Sequence, residues 1–216
     1  MLCAYNLWGF FDREFQYTRD FIHYCKKQIM EFRCIEECSQ CCVEREYYPN
    51  KKFGKIGVLI LPEEKERIEK LSKSNRLKIK IVPRIGISED RNSKPTEILA
   101  YQLMGIEKNG NTCPFLDTDS GDKSPHGGFP CKIYKDRPLA CMTYPLIESE
   151  PITFDQKCKF CKEHGTADQN LNSEMESLLK IKKKMNTNAA FIWRFATNVG
   201  EQEDQGVLES GWILEE

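Results

Sequence analysis

The chain has 216 residues, a formal net charge of -1, 30 % charged and 40 % hydrophobic residues. That balance excludes a disordered chain and leaves no bulk positive charge to attract nucleic acid. No window approaches the ~18 consecutive apolar residues of a membrane span, and "MLCAYNLWGFFDREF" has no basic n-region ahead of Asp12, so a cytoplasmic protein with no membrane partner is expected.

From Phe11 to Phe32 the residues Phe11, Phe15, Ile22, Cys25, Ile29 and Phe32 recur at steps of three, four or seven, which predicts an N-terminal helix over 1–33. Cys25 lies on its apolar face and reads as a small buried hydrophobe, as does Cys3, while His23 reads as helix surface. The next stretch, "CIEECSQCC", breaks this period and is expected to be a loop. "KIGVLIL" reads as a strand. Pro62, Glu63 and Glu64 make a suitable first turn for a helix through "PEEKERIEKLSK", with Ile68 and Leu71 facing the core. "LKIKIV" alternates as a strand does, and "EILAYQLMGIE" fits strand or helix equally well.

"CPFLDTDSGDKSPHGGFP" is a loop by its Gly, Pro, Ser and Asp content, so the cysteines at either end meet only if the chain folds back. A last helix is expected within 166–199, capped by Ser173 and Glu176 and running through Met175, Leu178, Met185, Ala189, Ile192 and Ala196. The lysines of "KIKKK" form its solvated face. The tail over 200–216 is acidic and expected to be loosely held, with Trp212, Ile213 and Leu214 able to dock. These elements describe a small α+β domain over 34–165 with a short sheet, flanked by an N-terminal and a long C-terminal helix.

Apart from Cys3 and Cys25, nine cysteines remain: Cys34, Cys38, Cys41, Cys42, Cys113, Cys131, Cys141, Cys158 and Cys161. An odd total of eleven in a cytosolic chain argues against a disulfide framework. Cys38 with Cys41, and Cys158 with Cys161, have the C-x-x-C spacing that brings two thiolates to one ion. Soft thiolates select zinc, copper(I), iron or an iron–sulfur cluster over magnesium and calcium. Nine candidates exceed the four of one closed tetrahedral site, which implies two centres, or one centre with thiols to spare. His126 and His164 are further candidate ligands whose loop positions equally suit a solvated histidine.

The ordered set "CIEECSQCC", an aliphatic strand leading into "LPEEKERI", "CPFLD" and "CKIYKDRPLACMTYP" resembles the zinc- or iron-chelating cysteine-cluster family of the YkgJ type, from about Cys34 to Cys161. The resemblance implies metal ligation by Cys34, Cys38, Cys41, Cys42, Cys113, Cys131 and Cys141, with Cys158 and Cys161 as a downstream extension. Met142 stands where the family commonly has arginine. Arg137 and Pro138 are expected to turn Cys131 back towards Cys141, with Arg137 paired to Asp117, Asp136 or the negative charge of a thiolate site. Three functions compete: a metal-binding protein with a structural, redox or transfer centre; an iron–sulfur enzyme, methylase-like or radical S-adenosylmethionine-like; and a zinc-stapled module that binds a protein partner. Cys34, Cys38 and Cys41 have the C-x-x-x-C-x-x-C spacing of the radical enzymes, but Gln40 replaces their usual aromatic residue and few strands are available for a barrel. "GDKS" lacks the remaining glycine and spacing of a phosphate loop.

Overall fold

A computed structural model describes residues 30–31, 35–43, 53–106, 112–164, 169–197 and 210–215. In chain order the elements are β1 (Met30–Glu31), α1 (Gln40–Val43), β2 (Val58–Ile60), α2 (Pro62–Ser74), β3 (Ile81–Ser88), β4 (Glu97–Leu103), a 3-10 turn (Tyr134–Asp136) and α3 (Leu139–Met142). They continue with β5 (Leu146–Ser149), β6 (Ile152–Phe154), α4 (Lys159–His164), β7 (Gln169–Asn170), α5 (Asn172–Met185), β8 (Phe191–Thr197) and β9 (Ser210–Leu214). The main sheet has five antiparallel strands in the order β2-β4-β3-β8-β9. With helices packed beside it, the domain is α+β, as its sequence indicates. An antiparallel sheet is not the parallel strand–helix repeat on which the radical S-adenosylmethionine reading depends.

The core forms where β2, β4 and α2 meet the cysteine-bearing loops. Val58, Ile60, Ile68, Leu103, Cys113, Phe115, Leu116 and Ile133 make one buried cluster, with Cys42, Cys131 and Cys141 packed against it. Burying a side chain such as Ile60, Ile68 or Phe115 stabilises the fold by about 1.5–3 kcal/mol. The cysteines thus line the edge of the core instead of standing on free loops. Gly57 permits this packing, because a Cβ there would lie 2.0 Å from the Leu103 carbonyl oxygen.

α2 matches its reading, with Pro62 in the first turn, Ile68 fully buried and Leu71 packed against the core. "EILAYQLMGIE" resolves as the strand β4, while "LKIKIV" contributes only Ile81 and Val82 to β3. β3 tolerates Pro83 because the register shifts there, with Pro83 opposite Tyr101 and Ile85 opposite Ala100; a proline is accommodated at such a bulge.

Two corrections concern the C-terminal part. α5 ends at Met185, and Phe191–Thr197 is the strand β8, not the continuation of a helix through Ala189, Ile192 and Ala196. "FIWRFAT" is rich in aromatic and β-branched residues, and pairing with β3 and β9 outweighs its partial helical period. The capping box also fails: α5 begins at Asn172, and Ser177, not the cap, uses its hydroxyl on the Ser173 carbonyl. The described end of the tail is better held than its acidity suggests, since β9 (Ser210–Leu214) extends the sheet and Trp212 packs edge-to-face on Phe195 with centroids 5.3 Å apart. The lysines of "KIKKK" do face solvent: Lys180 and Lys184 pair with Glu176 and Glu63 around a buried Ile181. Of the expected N-terminal helix, only Met30–Glu31 is described, as a strand parallel to β7, and the rest, with Cys3, His23 and Cys25, lies outside the described residues.

Candidate metal centre

Three separate stretches bring their cysteines to one cavity. The first is Cys38–Val43, where a turn at Glu36–Glu37 leads into the single helical turn α1. The expected loop is therefore partly helical, and this has a consequence for Cys41 and Cys42. Neighbours on a helix project about 100° apart instead of to opposite sides, and their sulfurs lie 3.9 Å from each other. That is far beyond a disulfide bond of about 2.05 Å. It matches the ~3.8 Å between two sulfurs on one tetrahedral ion with bonds of about 2.3 Å.

The second stretch begins at Cys113, whose N–H donates to the Cys42 carbonyl at 2.7 Å and so ties two distant cysteines together through the backbone. The loop after it folds back as its ends required: Leu116 bridges Cys131, the Asp117 N–H donates to the Pro130 carbonyl at 2.9 Å, and the Lys132 N–H donates to the Phe115 carbonyl at 2.9 Å. The tip of this loop presses on the first stretch. The Glu37 N–H donates to the His126 carbonyl at 2.6 Å, and the Phe129 N–H donates to the Ser39 hydroxyl at 2.8 Å. Gly127 adopts φ +81, and a Cβ on Gly128 would lie 2.5 Å from Ser39 Oγ and 2.8 Å from the Cys38 carbonyl oxygen. Glycine here is a requirement of close approach.

The third stretch runs from Cys131 through the 3-10 turn and Pro138 into α3, with Cys141 donating its N–H to the Pro138 carbonyl at 2.8 Å. Its position is set from outside by α2. The Glu64 carboxylate, 6 % exposed, accepts from the Leu61 N–H at 3.0 Å and from the Leu139 N–H at 2.9 Å. One buried carboxylate thereby caps two helix starts. Arg67 donates to Glu64 at 3.3 Å and also to the Asp136 carbonyl. Glu64 carried no signal beyond its place at the third position of a helix.

Cys38, Cys41, Cys42, Cys113, Cys131 and Cys141 line one cavity of roughly 200 Å³, together with His126, Arg137 and several apolar side chains. None of the eight described cysteines is in a disulfide. Among the described residues, no three donor side chains close on a common point. The donor set itself, soft sulfurs at the edge of an apolar core, suits zinc or iron. Cys158 and Cys161 are absent from the cavity lining, Cys158 being buried at the start of α4. Cys34 lies outside the described residues, and nothing is described of the His164 side chain.

The CxxCxxCC family, whose description is "Putative zinc- or iron-chelating domain", matches residues 33–162, more than half of the chain. The chain belongs to this family. As a CxxCxxCC protein it carries a chelating domain for zinc or iron, and the metal ion is its partner at the coarsest level of description. No curated protein and no solved structure matches the chain. Among the described residues no helix is long and apolar enough to cross a membrane.

Of the partners expected for Arg137, Asp117 is excluded. Asp117 pairs instead with Lys132 at 3.4 Å, and its carboxyl is held below the usual range mainly by the N–H groups of Asp119 and Ser120. Arg137 stacks on Tyr134, its guanidinium carbon 4.2 Å from the ring centre, and its buried Nε has no acceptor among the described residues.

Proposed function

We propose that the thiolates of Cys38, Cys41, Cys42, Cys113, Cys131 and Cys141 hold one zinc or iron centre in this cavity, with Cys34 completing the N-terminal arm of the pattern. The observation that carries this reading is the arrival of six thiols from three separated stretches at one cavity, two of them at a spacing that fits a shared ion. His126, which lines the same cavity, is a reserve ligand. Cys158 and Cys161 are left out of this centre, so nine cysteines do not imply nine ligands. When bound, the metal supplies cross-linking of the loops and, if iron, electron-transfer capacity. The chain's own residues contribute the apolar wall that limits water and the hydrogen bonds that hold the three stretches together.

The test is iron, zinc and acid-labile sulfide per chain in protein purified without oxygen, with the same analysis on Cys38→Ser, Cys131→Ser and Cys158→Ser. The reading expects loss of metal and a lower Tm in the first two variants and near-normal metal in the third. Unchanged metal in both Cys38→Ser and Cys131→Ser would falsify it. Iron with matching sulfide makes the centre an iron–sulfur cluster in a redox or modification enzyme. Stoichiometric zinc without sulfide makes it a structural clamp in a cytoplasmic interaction module.

A further inference from the structure

We infer that the same cavity receives a small ligand bearing an oxyanion, a carboxylate or phosphoryl group, and that Arg137 is the group that binds it; the inference rests on the cavity assigned above but not on which metal fills it. Arg137 spends the face of its guanidinium on Tyr134, which leaves the edge N–H groups in one plane, the arrangement that recognises an oxyanion bidentately. Its Nε is buried and without an acceptor among the described residues, and a buried donor left unpaired is costly. Asp117 is engaged elsewhere, by Lys132 at 3.4 Å. The fold therefore keeps at the cavity a guanidinium whose Nε has no acceptor among the described residues.

Phe129 and Tyr134 line the cavity while remaining 43 % and 47 % exposed, so part of its lining meets solvent. Phe115, Leu116 and Ile133, which also line it, are apolar and buried. A concave, largely apolar site with a few polar groups is the ordinary form of a ligand pocket. At roughly 200 Å³ it lies below the range of drug-sized sites, so the ligand is small: one anionic group on a compact apolar or planar body. Six thiols also exceed the four that close a tetrahedral ion, which suits a centre built to be approached.

The experiment titrates the full-length, metal-loaded chain with sodium benzoate and, separately, inorganic phosphate, following Tm and calorimetric heat, with metal content measured on each sample. Saturable stabilisation of the wild type by one probe is expected, weakened about ten- to hundredfold in Arg137→Gln, as loss of a charge-assisted hydrogen-bonded pair implies. Arg137→Lys, which keeps the charge and protects the fold but loses the planar fork, should fall between them. Metal content should be the same in all three. Absence of saturable binding of either probe to the wild type, or equal binding by Arg137→Gln, overturns the inference. So does loss of metal in Arg137→Gln, which would make the guanidinium a partner of the thiolates alone. A wild-type chain that takes up no metal refutes the metal assignment, and the same titration on that chain still decides for or against the anion.

Discussion

Glu64 offers the sharpest test of how the site is held, because it touches no cysteine. Its carboxylate accepts from the Leu61 N–H at 3.0 Å, from the Leu139 N–H at 2.9 Å and from Arg67 at 3.3 Å, at 6 % exposure. Glu64→Ala removes the acceptor for two helix-start N–H groups and strips Arg67 of its carboxylate. A lost cap costs about 0.5–2 kcal/mol and a hydrogen bond to a charged group about 1.5–3 kcal/mol. Two backbone donors left at a buried site therefore predict a loss of about 3 kcal/mol, with the partly exposed Arg67 pair adding little. Against a total stability of about 5–15 kcal/mol this is a large fraction. Because Leu139 begins the turn that carries Cys141, metal affinity should fall as well, by at least tenfold. Urea unfolding of the metal-free and metal-loaded chain measures the first quantity, and competition with a chromogenic chelator the second. Glu64→Gln keeps one acceptor oxygen but turns an NH2 group towards an N–H, so it should be intermediate. Glu66→Gln, on the solvent face and 78 % exposed, is the control and should stay within about 0.5 kcal/mol of wild type. A loss below about 1 kcal/mol in Glu64→Ala, or unaltered metal affinity, would refute the idea that α2 positions the third cysteine stretch.

Gly128→Ala should push the glycine-rich loop off the first cysteine stretch, since the added Cβ would meet Ser39 Oγ at 2.5 Å and the Cys38 carbonyl oxygen at 2.8 Å. A destabilisation of about 1–3 kcal/mol is expected, with weaker metal binding, and unchanged metal affinity by chelator competition counts against it. The Glu148 carboxyl is held at about 2, first by its hydrogen bond to Lys182 and then by the Ser149 N–H. A depressed folded value means that this pair helps the fold above the unfolded carboxyl range near 4.5 and loses that help as pH falls towards 2. Lys182→Met should accordingly lower Tm slightly at pH 6 and hardly at all at pH 2.5, the effect being small because both side chains are about two-fifths exposed. A Tm difference that grows on acidification would contradict the sign.

What the sequence disclosed, and what it hid, follows from how local each signal is. α2 was readable because its proline, first-turn acids and apolar period all lie within one segment. The cysteine pattern was readable for the same reason, since spacing along the chain survives without knowledge of the fold. β8 was not: "FIWRFAT" offers apolar positions to either period, and only its neighbours β3 and β9 decide between them. The convergence of Cys41 and Cys42 depended on one turn of helix in a stretch whose composition suggested a loop. Cys158 and Cys161 carry the same C-x-x-C spacing as Cys38 and Cys41, yet they do not line the cavity, because such a pair specifies its own geometry and not its location. Glu64 and Ser39 act through Leu139 and Phe129, far away in the chain, where a single sequence has no signal to give.

The order of strands in the main sheet sets the recognised module apart from the unit that folds. The family match ends at residue 162, but β8 and β9 lie beyond it, and β8 hydrogen-bonds directly to β3 inside it. Cut at the edge of the match, β3 would present an open row of N–H and C=O groups, with Trp193 no longer able to reach the Ser88 hydroxyl. Such an edge invites pairing between copies. The segment that carries the chelating pattern thus borrows its solubility from residues that carry none of it, and insertions or trims in the last quarter of the chain would register first as clumping of the protein rather than as a change in its chemistry.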